Sequence, residues 1–337
     1  MWPLNSSKRM PRVLGYPLSG LLLLGVLIAC GNPLTQRQNP QHFAGQDLRG
    51  HDFSNQDLRL ANFDGAKLAG AHFVGANLDG ASFKNADLRE SYFREAQAQG
   101  ADFSQADLGG ADLTRANLDR SVFDGANLSR SRLDTASANQ ATFNQAVLSG
   151  AHLVKAHLAQ AQLRGAMLES AQLTQAVLRF AQLQGAVLGS ATAAHQGPSA
   201  ASLAGVDARE ADFSGSQLTS VNLSEARLDG ARFTSARMDH ANLTWAHAES
   251  ADFSKARLGW VRAYSARLRA ARLDEAVMTQ AQLEGADLTG VSMRNAILDN
   301  TNLNQTKLKG VSAEGAQVQH ILINASSGAA PDLFKPR

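Results

Sequence analysis

Nine histidines, 30 acidic residues, 32 basic residues and a single cysteine are the groups in this 337-residue chain that could do chemistry. Their spacing argues against it. Metal capture and acid–base catalysis need such side chains to converge in a cleft. Here the histidines are dispersed, and no stretch has the spacing of a metal-ligand set, a nucleophile elbow or a phosphate loop. His72, His152 and His157 differ by multiples of five residues, as do most Asp and Glu positions. Carboxylates standing singly on an outward place lack the burial that moves a carboxyl toward a useful pKa. The glycines crowd one place of the same rhythm and read as corners, not as a nucleotide loop. The chain is therefore read as a non-enzyme, with no catalytic residue, metal site or cofactor.

The rhythm itself is the main signal. From Gln41 to Ala325 the pattern repeats every five residues without a frame slip, giving 57 pentads over 285 residues, with Leu, Phe, Met, Val or Ile in the middle of 49. A helix advances about 100° per residue, so a period of five would walk the apolar places around the cylinder. A flat strand would send alternate Leu and Phe to opposite faces. The chain must turn inside each pentad. In Ala61 to Gly65 (Ala-Asn-Phe-Asp-Gly), Ala and Phe point one way from an extended stretch and Asn the other, while the last two residues make a corner.

Ala-Asp-Leu-Thr-Arg at 111–115, Ala-Asn-Leu-Asp-Arg at 116–120 and Ala-Asp-Leu-Thr-Gly at 286–290 resemble the A-[DN]-L-x-x signature of the pentapeptide-repeat family. That resemblance implies an all-β fold, a right-handed quadrilateral parallel β-helix with four pentads per coil. At about 4.8 Å per stacked strand, about 14 coils would make a rod on the order of 65–70 Å long. Twenty-residue spacing then puts Phe43, Phe63, Phe83, Phe103, Phe123 and Phe143 in one internal ladder and Phe53, Phe73 and Phe93 in another opposite it. The bore is expected to be packing, not a pocket.

Residues 1–29 have the layout of a secretory signal: Lys8, Arg9 and Arg12, then an apolar run from Leu14 to Ala29 that is too short, with Pro17 inside it, to read as a spanning helix. Leu27-Ile28-Ala29-Cys30 looks like a bacterial lipobox, with Cys30 the lipidated residue. Gly31 in place of Asp favours, by the same resemblance, the outer membrane of a bacterial envelope, facing the periplasm. Residues 30–40 then form a tether, 41–325 the β-helix and 326–337 a tail in which Leu333 and Phe334 could cover the open end. Gln41, Gln46, His51 and Gln56 replace the small residue in the first coil, as expected of a cap.

Without the leader's three cations, 29 basic residues face 30 acidic ones. A nearly neutral rod lacks the basic excess of a nucleic-acid binder. It also fits poorly with the strongly acidic rods by which some family members mimic DNA and bind DNA gyrase. Asp dominates early outward places, and Arg the later ones, including Arg227, Arg232, Arg237, Arg257, Arg262, Arg267 and Arg272. Consecutive arginines fall on different walls, making a collar in which Trp245, Trp260 and Tyr264 occupy corner or near-corner places. These aromatics either anchor a protein, glycan or lipid headgroup or simply pad the corners. Val147, Met167 and Val187 would form an exposed apolar strip on one wall.

Residues 191–200 lose the pattern, with Ala193 and Pro198 where Leu belongs, which predicts a bulge or loop near 196–199 dividing the rod into two stacked blocks. The resulting expectation is a lipid-anchored scaffold or protein-binding rod. Its membrane contact is the N-terminal lipid, its protein partner is unassigned, and a homodimer through an end or a side is left open. An inhibitor that mimics nucleic acid and a glycan- or lipid-binding rod are the alternatives.

Overall fold

The computed structural model describes residues 41–189 and 200–324. The leader, Cys30, the tether, the centre of the interruption and the tail lie outside the described residues. Every described pentad has the same backbone plan. The second residue forms a parallel bridge to a second residue one coil on, twenty places away except across the interruption, from His42↔Asn62 through to Asn302↔Leu322. The fifth residue has a positive φ, whether it is Gly65 (64°), Thr135 (57°), Phe180 (59°) or Trp245 (58°). Among the common β-turns only type II needs positive φ at the third turn residue alone. Its hydrogen bond is present, as in Gln46 N–H to Phe43 C=O at 3.1 Å. A turn every five residues leaves little room for longer strands. The only ones among the described residues are β1 (Val187–Gly189) and β2 (Gln217–Leu218), paired in parallel.

Twenty-residue stacking gives four walls, numbered here from the bridges that start at His42 (wall 1), Asp47 (wall 2), Asp52 (wall 3) and Asp57 (wall 4). Beyond the first coil the first and third residues of each described pentad point inward, and from Phe53 to Leu308 the described third residues are almost completely buried. Phe63, Phe83 and Phe103 stack along wall 1 with ring centres 4.8 and 4.9 Å apart. They meet Phe73 and Phe93 of wall 3 edge-on at 5.6 to 5.8 Å. The two ladders interdigitate across the bore. Where serine takes the small inward place, as Ser91 and Ser121, its hydroxyl donates to the carbonyl three residues back, at 2.6 and 2.5 Å. A buried hydroxyl is thus satisfied locally.

The interruption does not divide the rod. Gln172 bridges Ser202, Val177 bridges Asp207 and Gln182 bridges Asp212, so the ladder runs on with a spacing of thirty instead of twenty. The coils on either side of the interruption are hydrogen-bonded directly, as in Leu173 N–H to Ser202 C=O at 2.7 Å. One consequence concerns the core. A strict count of twenty would put Phe213, Phe233 and Phe253 on the wall of Phe53, but the spacing of thirty returns them to wall 1, in line with Phe143, Leu163 and Leu183.

Core volume is balanced along the chain. Four central alanines of wall 4, Ala98, Ala138, Ala208 and Ala248, are each followed one pentad later by a wall 1 phenylalanine, namely Phe103, Phe143, Phe213 and Phe253. Ala263 on wall 3 is followed by Leu268 instead. Here the packing leaves an apolar cavity of about 10 Å³, bordered by Leu243, Leu258, Val261, Ala263, Leu268 and Leu283 among others. With no polar lining it should stay dry.

The first coil is capped by its own side chains. Gln46 Nε2 donates to His42 C=O at 3.0 Å, Gln56 Nε2 to Asp52 C=O at 3.2 Å and Gln41 Nε2 to Asp57 C=O at 3.4 Å. In every other coil the corresponding carbonyls accept from the coil before them. His51 meanwhile lies against Phe53, ring centres 4.4 Å apart. The glutamines that break the repeat therefore close a sheet edge.

Two core substitutions test this packing by denaturant unfolding. Phe83→Ala should cost about 3–5 kcal/mol. Ala263→Val should raise stability by about 0.5–1 kcal/mol, whereas Ala248→Val, in the volume compensated by Phe253, should lower it.

Candidate functional site

The outward residues first serve the backbone. Of the five N–H groups in a pentad, those of residues one, two, three and five bond to carbonyls, and the fourth does not. In many pentads an Asx side chain takes it in one of two ways. The second residue of the same pentad accepts it, as Asp52 from Ser54 at 2.9 Å and Asn62 from Asp64 at 2.8 Å. Alternatively the fourth residue of the preceding coil does, as Asp119 from Asn139 at 2.8 Å and Asp239 from Gly259 at 3.2 Å. The [DN] of the repeat is thus a turn-closing group.

This role governs the electrostatics. Burial alone would push the carboxyls of Asp112, Asp212 and Asp252 up. Hydrogen bonds from Thr114 and Arg94, from Ser214 and Gln184, and from Ser254, with nearby arginines, outweigh it and hold each below the usual carboxylate range. Carboxyls held ionised this way are poor proton donors near neutrality. No group of three or more His, Cys, Asp or Glu among the described residues is placed to hold a metal ion. No described helix is long and apolar enough to cross a membrane.

Val147, Met167 and Val187 stack on wall 2 as bridge partners, with Met167 41% exposed and the two valines half-buried. Their neighbours across the adjoining walls, Gln162, Gln182, His152 and Gln172, are polar and mostly uncharged. Arg257, Arg262 and Arg267 fall on walls 2, 3 and 4, so the collar is real. Its members differ in state. Arg257 pairs with Asp239 at 3.3 Å, and the wall 1 arginines Arg232 and Arg272 each face an Asp at 3.7 Å. Arg262 and Arg267 are exposed and make no ion pair among the described residues.

The three aromatics also separate. Trp260 is a padded corner: its ring stacks on His240 with centres 5.0 Å apart, and its Nε1–H donates to Gln280 Oε1 at 2.6 Å. Trp245, 59% exposed, and Tyr264, 37% exposed, have no such support, although the Trp245 N–H bonds to the Tyr264 carbonyl at 2.9 Å across adjacent coils. Two exposed corner residues escaped the reading of the sequence, Leu60 and Phe180, the latter beneath Arg179 at 5.6 Å. Their fifth-place register was the available signal.

A family profile described as a pentapeptide repeat region matches residues 46–123. A second, of eight-copy pentapeptide repeats, matches 141–179, 156–192, 199–234, 226–262, 266–310 and 286–320. The chain belongs to the pentapeptide-repeat family. Its fold is accordingly the family's right-handed quadrilateral β-helix. No curated protein matches the chain significantly. Among solved structures, it is similar to HetL, a pentapeptide repeat protein involved in heterocyst differentiation regulation from the cyanobacterium Nostoc sp. strain PCC 7120, at 26% identity over 68% of this chain and 89% of HetL, TM-score 0.33. Rfr23 from the cyanobacterium Cyanothece 51142 is 26% identical over 28% of this chain and 64% of its own, TM-score 0.27. QnrB1, a plasmid-mediated fluoroquinolone resistance protein, is 14% identical over 56% and 86%, TM-score 0.38. At these scores no partner or activity passes from those proteins to this chain.

The turn-closing role of Asp can be tested at Asp112, which accepts from Thr114 N–H at 3.0 Å and Arg94 Nη2 at 2.7 Å. Asp112→Ala should lose about 1–3 kcal/mol in denaturant unfolding. Because these folded-state pKa values lie below the unfolded ones, their contribution is complete above about pH 5 and is lost as pH falls below about 4. A thermal melt series should show that acid limb for the parent chain and a shallower one for the variant.

Proposed function

We propose that this chain is a non-enzymatic binding rod, held by lipid on Cys30 at the outer membrane facing the periplasm, where it serves as a scaffold for another envelope protein. The observation that carries the binding role is the filled bore. With the described central side chains buried from Phe53 to Leu308 and the cavity beside Ala263 small and apolar, the outer walls are what the molecule offers to others. The anchor rests on the leader residues Lys8, Arg9 and Arg12, the apolar run and Leu27-Ile28-Ala29-Cys30.

Wall 2 is the surface best suited to a protein. Val147, Met167 and Val187 supply an apolar centre and the surrounding Gln and His side chains a polar rim, the arrangement of a small protein contact. Mimicry of nucleic acid has less support. Asp47, Asp57 and Asp87 are each clasped by the arginine two residues on, at 2.7 Å, so the early Asp-rich coils do not present a bare acidic face.

Mass spectrometry of the mature N-terminus should find Cys30 as the first residue carrying a lipid mass. A cytosolic protein that retains Met1 would contradict the anchored reading. A photo-crosslinking residue at position 167 should capture one protein in cells that the same residue at position 102 on wall 1 does not. Equal capture, or none, from both would contradict the contact on wall 2.

A further inference from the structure

We infer that the corner between walls 3 and 4 at Trp245 and Tyr264 binds a carboxylated saccharide, with Arg262 and Arg267 supplying the charge. The argument begins with the two corner tryptophans. Both stand at the fifth place with positive φ, 58° for Trp245 and 54° for Trp260, a conformation that favours glycine over a bulky side chain. Trp260 recovers the cost by stacking on His240 and bonding to Gln280. Trp245 recovers nothing comparable. Its column neighbours are Glu225 and Ser265, it has no ring contact, and more than half of it faces solvent. The backbone strain is shared by every corner, but an indole left this exposed and unsupported is not required by the fold.

What surrounds Trp245 narrows the ligand. Arg262 precedes Tyr264 by two residues on wall 3 and Arg267 follows it by three on wall 4, so the two side chains flank the corner. Neither has an acidic partner among the described residues, although most neighbouring arginines on walls 1 and 2 have one. An unstacked indole offers a flat apolar face, and a guanidinium offers paired donors for a carboxylate. A sugar acid presents both complements, the C–H face of its ring and its carboxylate, a few ångströms apart. The site is a convex corner and not a pocket. That suits one or two residues of a polymer lying across it, whereas the buried anchors of a protein contact want a depression. This inference is independent of the anchor and of the contact proposed on wall 2.

The test is affinity electrophoresis of the full chain through gels containing polygalacturonate, its methyl-esterified form, or neither, with flotation on vesicles of anionic phospholipid alongside. Retardation by polygalacturonate is expected, with at least a fivefold loss on esterification. Trp245→Ala and the double variant Arg262→Gln/Arg267→Gln should each weaken it at least fivefold while thermal melting stays close to the parent. Trp260→Ala should leave retardation intact and lower the melting temperature instead. Equal retardation by the esterified polymer, no effect of Trp245→Ala, an equal loss with Trp260→Ala, or vesicle binding that Trp245→Ala abolishes while polygalacturonate fails to retard the chain would each overturn the assignment. The last outcome would reassign the corner to a lipid surface.

Discussion

One backbone constraint underlies the whole molecule: the fifth residue of each pentad adopts φ near +60°, so the chain turns a corner after every three-residue side. Four such corners return it to register, and the bridge between second residues at i and i+20 follows. Glycine suits this position, yet Leu60, Thr135, Phe180 and Trp245 hold it too. An L-residue there costs on the order of 1–2 kcal/mol. The ladder sustains that strain because each turn is tied to its own pentad and to both neighbouring coils by hydrogen bonds, while the first and third side chains are buried together. Local strain is repaid by a cooperative stack.

Much of this was legible in the sequence. Period five excluded helix and flat strand, and the Phe spacing located opposing ladders that the structure shows as stacks crossed by edge-on contacts. Gln41, Gln46 and Gln56 announced the cap, whose donors do reach the edge carbonyls. The stagger after residue 190 was hidden. Ten residues keep the five-residue frame whether they fill half a coil or leave the stack, and only the ladder partners distinguish the two, as Gln172↔Ser202 does. The void at Ala263 escaped for a similar reason, since it depends on which neighbour in three dimensions balances a missing Leu.

The outer surface was legible only in part. Corner register predicted that Trp245 and Trp260 would be exposed, but not that His240 and Gln280, each twenty residues away, would support one of them and leave the other bare. The same applies to charge. Composition placed Arg257, Arg262 and Arg267 in one collar, while the ion pairs separate Arg257 from the other two. Many outward Asp and Asn proved to be structural, closing the turn through the fourth N–H.

The central claim is that third-place side chains point into a filled bore while second-place side chains face out. Thiol accessibility measures this most directly. In a Cys30→Ser background, single substitutions Val147→Cys, Leu148→Cys, Met167→Cys and Leu168→Cys can be timed against a bulky charged maleimide under native conditions. The account predicts rapid labelling at 147 and 167 and protection at 148 and 168 until the chain is unfolded. Native labelling at 148 and 168 as fast as at 147 and 167 would contradict it.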